Sequence, residues 1–110
     1  LTGMLDDYAR AVLSAYLALP GTPTRTSPFD RCLARSLRDR AIPLETVTVA
    51  FSLAIARRYA RPKTAVPLGA IRSLAYFLPV IDELLVSPVD PSYADYIRRK
   101  ALSLSASPST

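Results

Sequence analysis

Histidine and tryptophan are missing from this chain of 110 residues, and there is a single cysteine, Cys32. Without histidine, no Ser–His or Cys–His nucleophile pair can be assembled. A zinc site takes about four Cys or His ligands, or three with a carboxylate, so Cys32 alone cannot build one. One cysteine also excludes an internal disulfide and fits a reducing compartment. On the apolar face of its predicted helix, Cys32 is expected to be a small core residue. Glycine is scarce, three in all. The run Gly21-Thr22-Pro23-Thr24-Arg25-Thr26 lacks the second glycine and the lysine of a phosphate-binding loop. It reads as a connector.

Long apolar runs are lacking too. The uncharged stretch from Thr46 to Ala56 falls far short of the ~20 residues a membrane-spanning helix needs. No basic, apolar and cleavable segment opens the chain, so the expectation is a cytoplasmic protein with no membrane partner. The first residue is Leu1 rather than Met, as in a trimmed chain or an excised domain.

What is present is apolar and basic. Half the residues are hydrophobic and the mean hydropathy is +0.20, high for a small soluble domain. Either the core is unusually complete or apolar surface is reserved for a partner. The net charge is +5, with twelve Arg against two Lys. A basic balance favours nucleic acid or other anionic partners, although an Arg- and Ala-rich, Lys-poor chain is also what a GC-rich genome encodes.

Proline and capping residues divide the chain into about five helices, with no strand and no repeat. The first is expected from Met4 to Leu19, with Asp6 and Asp7 in its first turn and Asp6 facing Arg10. Leu5, Tyr8, Val12, Tyr16 and Leu19 form its main stripe; Leu13 and Leu17 fall outside it. Pro20-Gly21 ends it. Ser27-Pro28-Phe29-Asp30 opens the second helix with a capping box. There Phe29, Cys32, Leu33 and Leu37 are expected to face inward, with Arg31, Arg35 and Arg38 outward.

The third helix, Pro43 or Leu44 to about Tyr59, is apolar nearly all round. Leu44, Val47, Phe51 and Ile55 make one stripe, and Val49, Leu53 and Ala56 another. Such a helix is buried. The fourth segment, Leu68 to Leu85, reads as a helix kinked at Pro79, or as two short helices with Ser73 capping the first and Pro79 starting the second. Asp90-Pro91 opens the fifth, to about Leu104, with Tyr93, Ile97, Ala101 and Leu104 inward and Asp95 pairing with Arg98 or Arg99. The expected fold is therefore all-α: one domain over residues 1–104, a compact bundle of about five helices around a central buried third helix. Residues 105–110 form a flexible tail.

Chemistry-bearing constellations do not emerge. The nine carboxylates sit mostly in helix first turns or helical pairs. Asp82 and Glu83 lack such an explanation, but neighbours on a helix point about 100° apart and do not converge as an acid/base pair. No catalytic residue, cofactor, metal or small-molecule substrate is inferred. Three basic groups stand out: Arg31/Arg35/Arg38; Arg57/Arg58/Arg61/Lys63; and Arg98/Arg99/Lys100. The last two are the nucleic-acid-binding candidates. If two groups shared a surface they would neutralise several phosphates. Direct base readout is disfavoured, because the third helix offers almost no polar side chains to base edges. For a protein interface the candidates are Leu13, Leu17, Arg72 and Tyr76, with Tyr76 one turn from Arg72 and suited to a cation–π pair with it.

Ile42-Pro43-Leu44-Glu45…Val47…Ala50, followed by Ile71-Arg72-Ser73-Leu74-Ala75-Tyr76-Phe77-Leu78-Pro79-Val80-Ile81-Asp82-Glu83, resembles the C-terminal helical modules of phage- and plasmid-type replication proteins. It is also similar to the related DnaD-like primosome domains. The likeness runs from about Ile42 to Leu85. The tryptophan that often closes the DnaD-like motif is absent, and no winged-helix DNA-binding domain precedes Ile42 in this sequence. The resemblance implies a helical module of a replication or mobile-element protein that contacts DNA or a helicase-loading partner. Together the sequence points to a non-enzymatic protein-interaction module, self-association included, with a DNA-binding accessory domain as the alternative.

Overall fold

Residue patterning and capping translate into helices throughout. The structure, a computed structural model, describes residues 2–62, 64–66 and 68–106, and only the backbone of residues 2–6, 105 and 106. The elements in order are α1 (Thr2–Leu17), α2 (Pro28–Asp39), α3 (Leu44–Tyr59), a 3-10 helix (Leu74–Phe77), α4 (Leu78–Val86) and α5 (Pro91–Ala106). The described residues contain no strand. The protein is an all-α bundle.

α3 is its axis. It packs against α1, the 3-10 helix, α4 and α5, and buries Val47, Val49, Ala50, Phe51, Ala54 and Ile55. Leu44 is the member of the expected stripes that stays exposed. Burying side chains of this size stabilises the fold by about 1.5–3 kcal/mol each for the larger ones. A helix with two apolar faces achieves this only when covered on both. Phe77 plugs the centre, fully buried, with its ring 4.8 Å from Phe51 and edge-on to Tyr16 at 6.0 Å.

The capping box forms as expected. The Ser27 hydroxyl accepts from the Asp30 N–H, and Asp30 Oδ2 accepts from the Ser27 N–H at 3.0 Å. The second Asp30 oxygen does something the sequence did not show: it accepts the Leu74 N–H at 2.9 Å, far along the chain. Asp30 is 1% exposed. Directing Asp30 to the core turns α2 so that Ala34 and Leu37 follow it inward. Successive helical residues advance about 100°, so Cys32 points nearly opposite. Two expectations are corrected here: Cys32 is exposed rather than a core residue, and Phe29 is 57% exposed.

Other boundaries shift for local reasons. α1 begins at Thr2 and ends at Leu17, because Gly21 takes a left-handed φ of +79° and the Thr22 hydroxyl donates to the Leu19 carbonyl. Arg10 pairs with Asp7 at 3.3 Å; the side chains of Leu5 and Asp6 lie outside the described residues. The stretch Leu68–Arg72 is not helical. Ser73 instead caps the 3-10 helix, accepting from the Ala75 N–H, and Pro79 sits in the first turn of α4. Of the two expected forms for this region, the broken one is present. α5 continues to Ala106, so residues 105 and 106 are helix rather than tail, and 107–110 lie outside the described residues. Tyr93, expected inward, is 48% exposed, because Ala94, Ile97 and Ala101 form the buried edge of α5.

The α2–α3 corner is a Schellman turn: the Ala41 N–H donates to Arg38 and the Ile42 N–H to Leu37. The Tyr8 hydroxyl donates to the Ile42 carbonyl at 2.7 Å and fastens α1 to that corner. Ala41 carries φ +56°, a conformation that strains its Cβ. Ala41→Gly is therefore expected to raise stability by about 0.5–1 kcal/mol in urea unfolding, the relief of strain exceeding the added chain entropy. Asp30→Ala leaves the Leu74 and Ser27 N–H groups without acceptors and is expected to cost about 2–4 kcal/mol, with Asp30→Asn losing less. The buried Tyr16 hydroxyl has no hydrogen-bond partner. Burial first, and the Asp30 charge second, push its pKa up to about 12. Folding thus favours the protonated phenol, and stability should decline as the pH rises from 10.0 toward that value. Tyr16→Phe, monitored by circular dichroism, should lose that part of the decline and be no less stable at neutral pH.

Candidate functional site

Carboxylates are the first groups to place. The Asp6 side chain lies outside the described residues; each of the other carboxylates has a structural partner. Asp7 pairs with Arg10, Asp39 with Arg38, Glu45 and Asp95 with Arg98, Asp82 with Arg40 and Glu83 with Arg57. Asp90 caps α5, accepting from the Tyr93 N–H and the Ser92 hydroxyl. These two bonds, the hydroxyl's first, hold its pKa below the ordinary carboxylate value. Asp82 and Glu83, which the sequence left unexplained, tie α4 to the α2–α3 corner and to the end of α3.

The Arg57–Glu83 pair is bidentate, with N–O distances of 2.8 and 2.6 Å. Its hydrogen bonds lower the Glu83 pKa and raise that of Arg57. Arg58 donates to the Gly69 carbonyl at 2.6 Å and to the Tyr76 hydroxyl at 3.4 Å, with its guanidinium 5.7 Å from the Tyr76 ring centre. The cation expected on Tyr76 was Arg72; α3 supplies Arg58 instead, because the chain before Ser73 is not helical. Arg61 donates to the Val66 carbonyl at 2.6 Å. Both arginines thus pin the loop between α3 and the 3-10 helix. Lys63 lies outside the described residues.

The basic candidates are divided rather than pooled. Arg98 turns to Glu45 and Asp95, and Arg99 is exposed. Lys100, by contrast, joins Arg57 along one groove between α3 and α5, of about 190 Å³. Leu53, Ala56, Ala60 and Ile97 supply its apolar lining, with Tyr93, Tyr96 and Leu104 completing it. Tyr93 and Tyr96 are half exposed and stack on each other, ring centres 5.9 Å apart and 18° from parallel. Two further grooves continue from Arg57 past Arg58 and Arg61, where Tyr76 and Tyr59 lie. No carboxylate lines any of the three.

No protein-family model, curated protein or solved structure matches the chain.

The four interface candidates are not brought together. Leu13 packs in part against the core and Leu17 is more exposed. Arg72 lines a shallow groove with Gly21 and Pro23, whereas Tyr76 lines another with Arg57 and Arg58. Tyr93 and Tyr96, outside those four candidates, are the tyrosines that line the groove between α3 and α5. Their signal was the Tyr-x-x-Tyr spacing, which puts both rings on one helical edge. No helix is long and apolar enough to cross a membrane. Because the Glu83 pKa is lowered, the pair adds stability above pH 4.5 that is lost as the pH falls through the folded-state value. Glu83→Gln should be less stable than the parent at neutral pH, and the two urea midpoints should converge in acid.

Proposed function

We propose that this protein is a non-enzymatic interaction module that engages a protein partner through the groove between α3 and α5. One observation carries the reading: an apolar floor bordered by two half-exposed, mutually stacked tyrosines, in a groove that no carboxylate lines. Tyrosine and arginine beside a desolvated apolar floor are what protein interfaces concentrate. Rings held against each other also lose little freedom on binding.

The state of the arginines supports a protein partner over DNA. Glu83 neutralises Arg57, Glu45 and Asp95 neutralise Arg98, and Arg58 and Arg61, still charged, each commit one guanidinium nitrogen to a loop carbonyl. Phosphate contacts need cations whose donors are available. The resemblance of Ile42–Leu85 to replication modules agrees with an accessory role, and a helicase-loading partner would be a protein. DNA binding is the second reading, favoured by the gathering of Arg57, Arg58, Arg61 and Lys100 along the carboxylate-free grooves.

A photo-crosslinking side chain at position 96, compared with one at exposed position 35 on α2, tests the proposal in cells. Discrete protein adducts are expected at position 96 and not at 35. The purified chain is expected to leave labelled duplex and single-stranded DNA unshifted at low salt. A salt-sensitive shift weakened by charge reversal at Arg57, Arg58 and Arg61 would instead establish the second reading.

A further inference from the structure

We infer that the occupant of the α3/α5 groove is an acidic amphipathic helix of a partner protein, an inference that rests on the interaction reading above. The groove runs between two helices and is floored by Leu53, Ala56 and Ile97, a helix-flanked apolar surface of the kind against which an amphipathic helix lays its apolar face. The charged side chains that line the groove are both basic. Arg57 and Lys100 border it, and the adjoining grooves add Arg58 and Arg61. With Arg57 offset by Glu83, the field remains positive: Lys100 has no ion-pair partner among the described residues, and the carbonyls held by Arg58 and Arg61 do not cancel their charge. Glutamates flanking the apolar stripe of a docked helix meet that field, which speeds encounter and sets specificity.

Other occupants fit less well. In a two-fold pairing of this groove with itself, each copy's Arg57 and Lys100 would approach the same residues of the other, and the net charge of +5 adds repulsion. Single-stranded nucleic acid needs open aromatic faces on which bases stack. Here Tyr93 and Tyr96 cover one face of each other, and the Arg58 guanidinium sits over the Tyr76 ring.

The test uses the full chain and two fluorescent peptides of about 15 residues, both with leucines at i, i+3, i+4 and i+7; one carries glutamate at the remaining positions, the other lysine. Fluorescence anisotropy should show the glutamate peptide binding at least about tenfold more tightly. Lys100→Glu should narrow or reverse that preference, and Tyr96→Ala should weaken the glutamate peptide at least about fivefold, with helical content and Tm retained in both variants. Equal binding of the two peptides, or an unchanged preference in Lys100→Glu, overturns the acidic partner and leaves the interaction reading standing. Absence of binding by either peptide also overturns it, while the interaction reading stands or falls separately on the adducts at position 96.

Discussion

A single buried carboxyl group organises the molecule. Asp30 closes the start of α2 through Ser27 and simultaneously receives the Leu74 N–H. A buried carboxyl oxygen without donors is costly, so both contacts hold as a set. Once Leu74 is held there, the 3-10 helix lies against α2 and α3, and Phe77 enters the space between Tyr16 and Phe51. Pro79 then falls in the first turn of α4, where its missing N–H costs little. The position of α4 places Glu83 on Arg57. The end of α3 thus depends on a capping residue at the start of α2.

The same economy governs the charges. A small bundle with many arginines and few acids spends nearly every described carboxylate on a cap or a crosslink. Surface ion pairs of this kind contribute little to stability individually. Their larger effect is on which cations stay without a carboxylate: among the described residues these include Lys100, Arg58 and Arg61 beside the exposed tyrosines, as well as exposed Arg31 and Arg35 on α2. The apolar excess divides likewise. Part forms one continuous core around α3; part, including Phe29, Tyr93, Tyr96 and Leu102, stays outside. At the other end of α3, Pro43, Val49, Leu84, Pro91 and Ala94 line a second cleft whose charged member, Glu45, is already bound to Arg98. The groove by Lys100 therefore combines apolar surface with unspent charge.

Local chemistry determined much of this protein from its sequence alone. The Ser27–Asp30 capping box, the helix-starting Pro28 and Asp90-Pro91, the stop at Pro20-Gly21, and an α3 apolar on two faces each follow from bonds or periodicities spanning a few residues. The helical class, the count of helices and the central position of α3 were legible for that reason. Tertiary structure alone decided the rest. Cys32 and Phe29 match an inward stripe as well as Ala34 does, and it is the Asp30–Leu74 bond, between residues remote in sequence, that turns α2 the other way. Tyr93 is apolar enough for the core, yet Ala94 takes that place because small residues let α5 approach α3 closely. Arg58 rather than Arg72 reaches Tyr76, and Arg57 and Lys100 come to border one groove, because partners between helices depend on how the helices are packed, and no spacing along the chain encodes that.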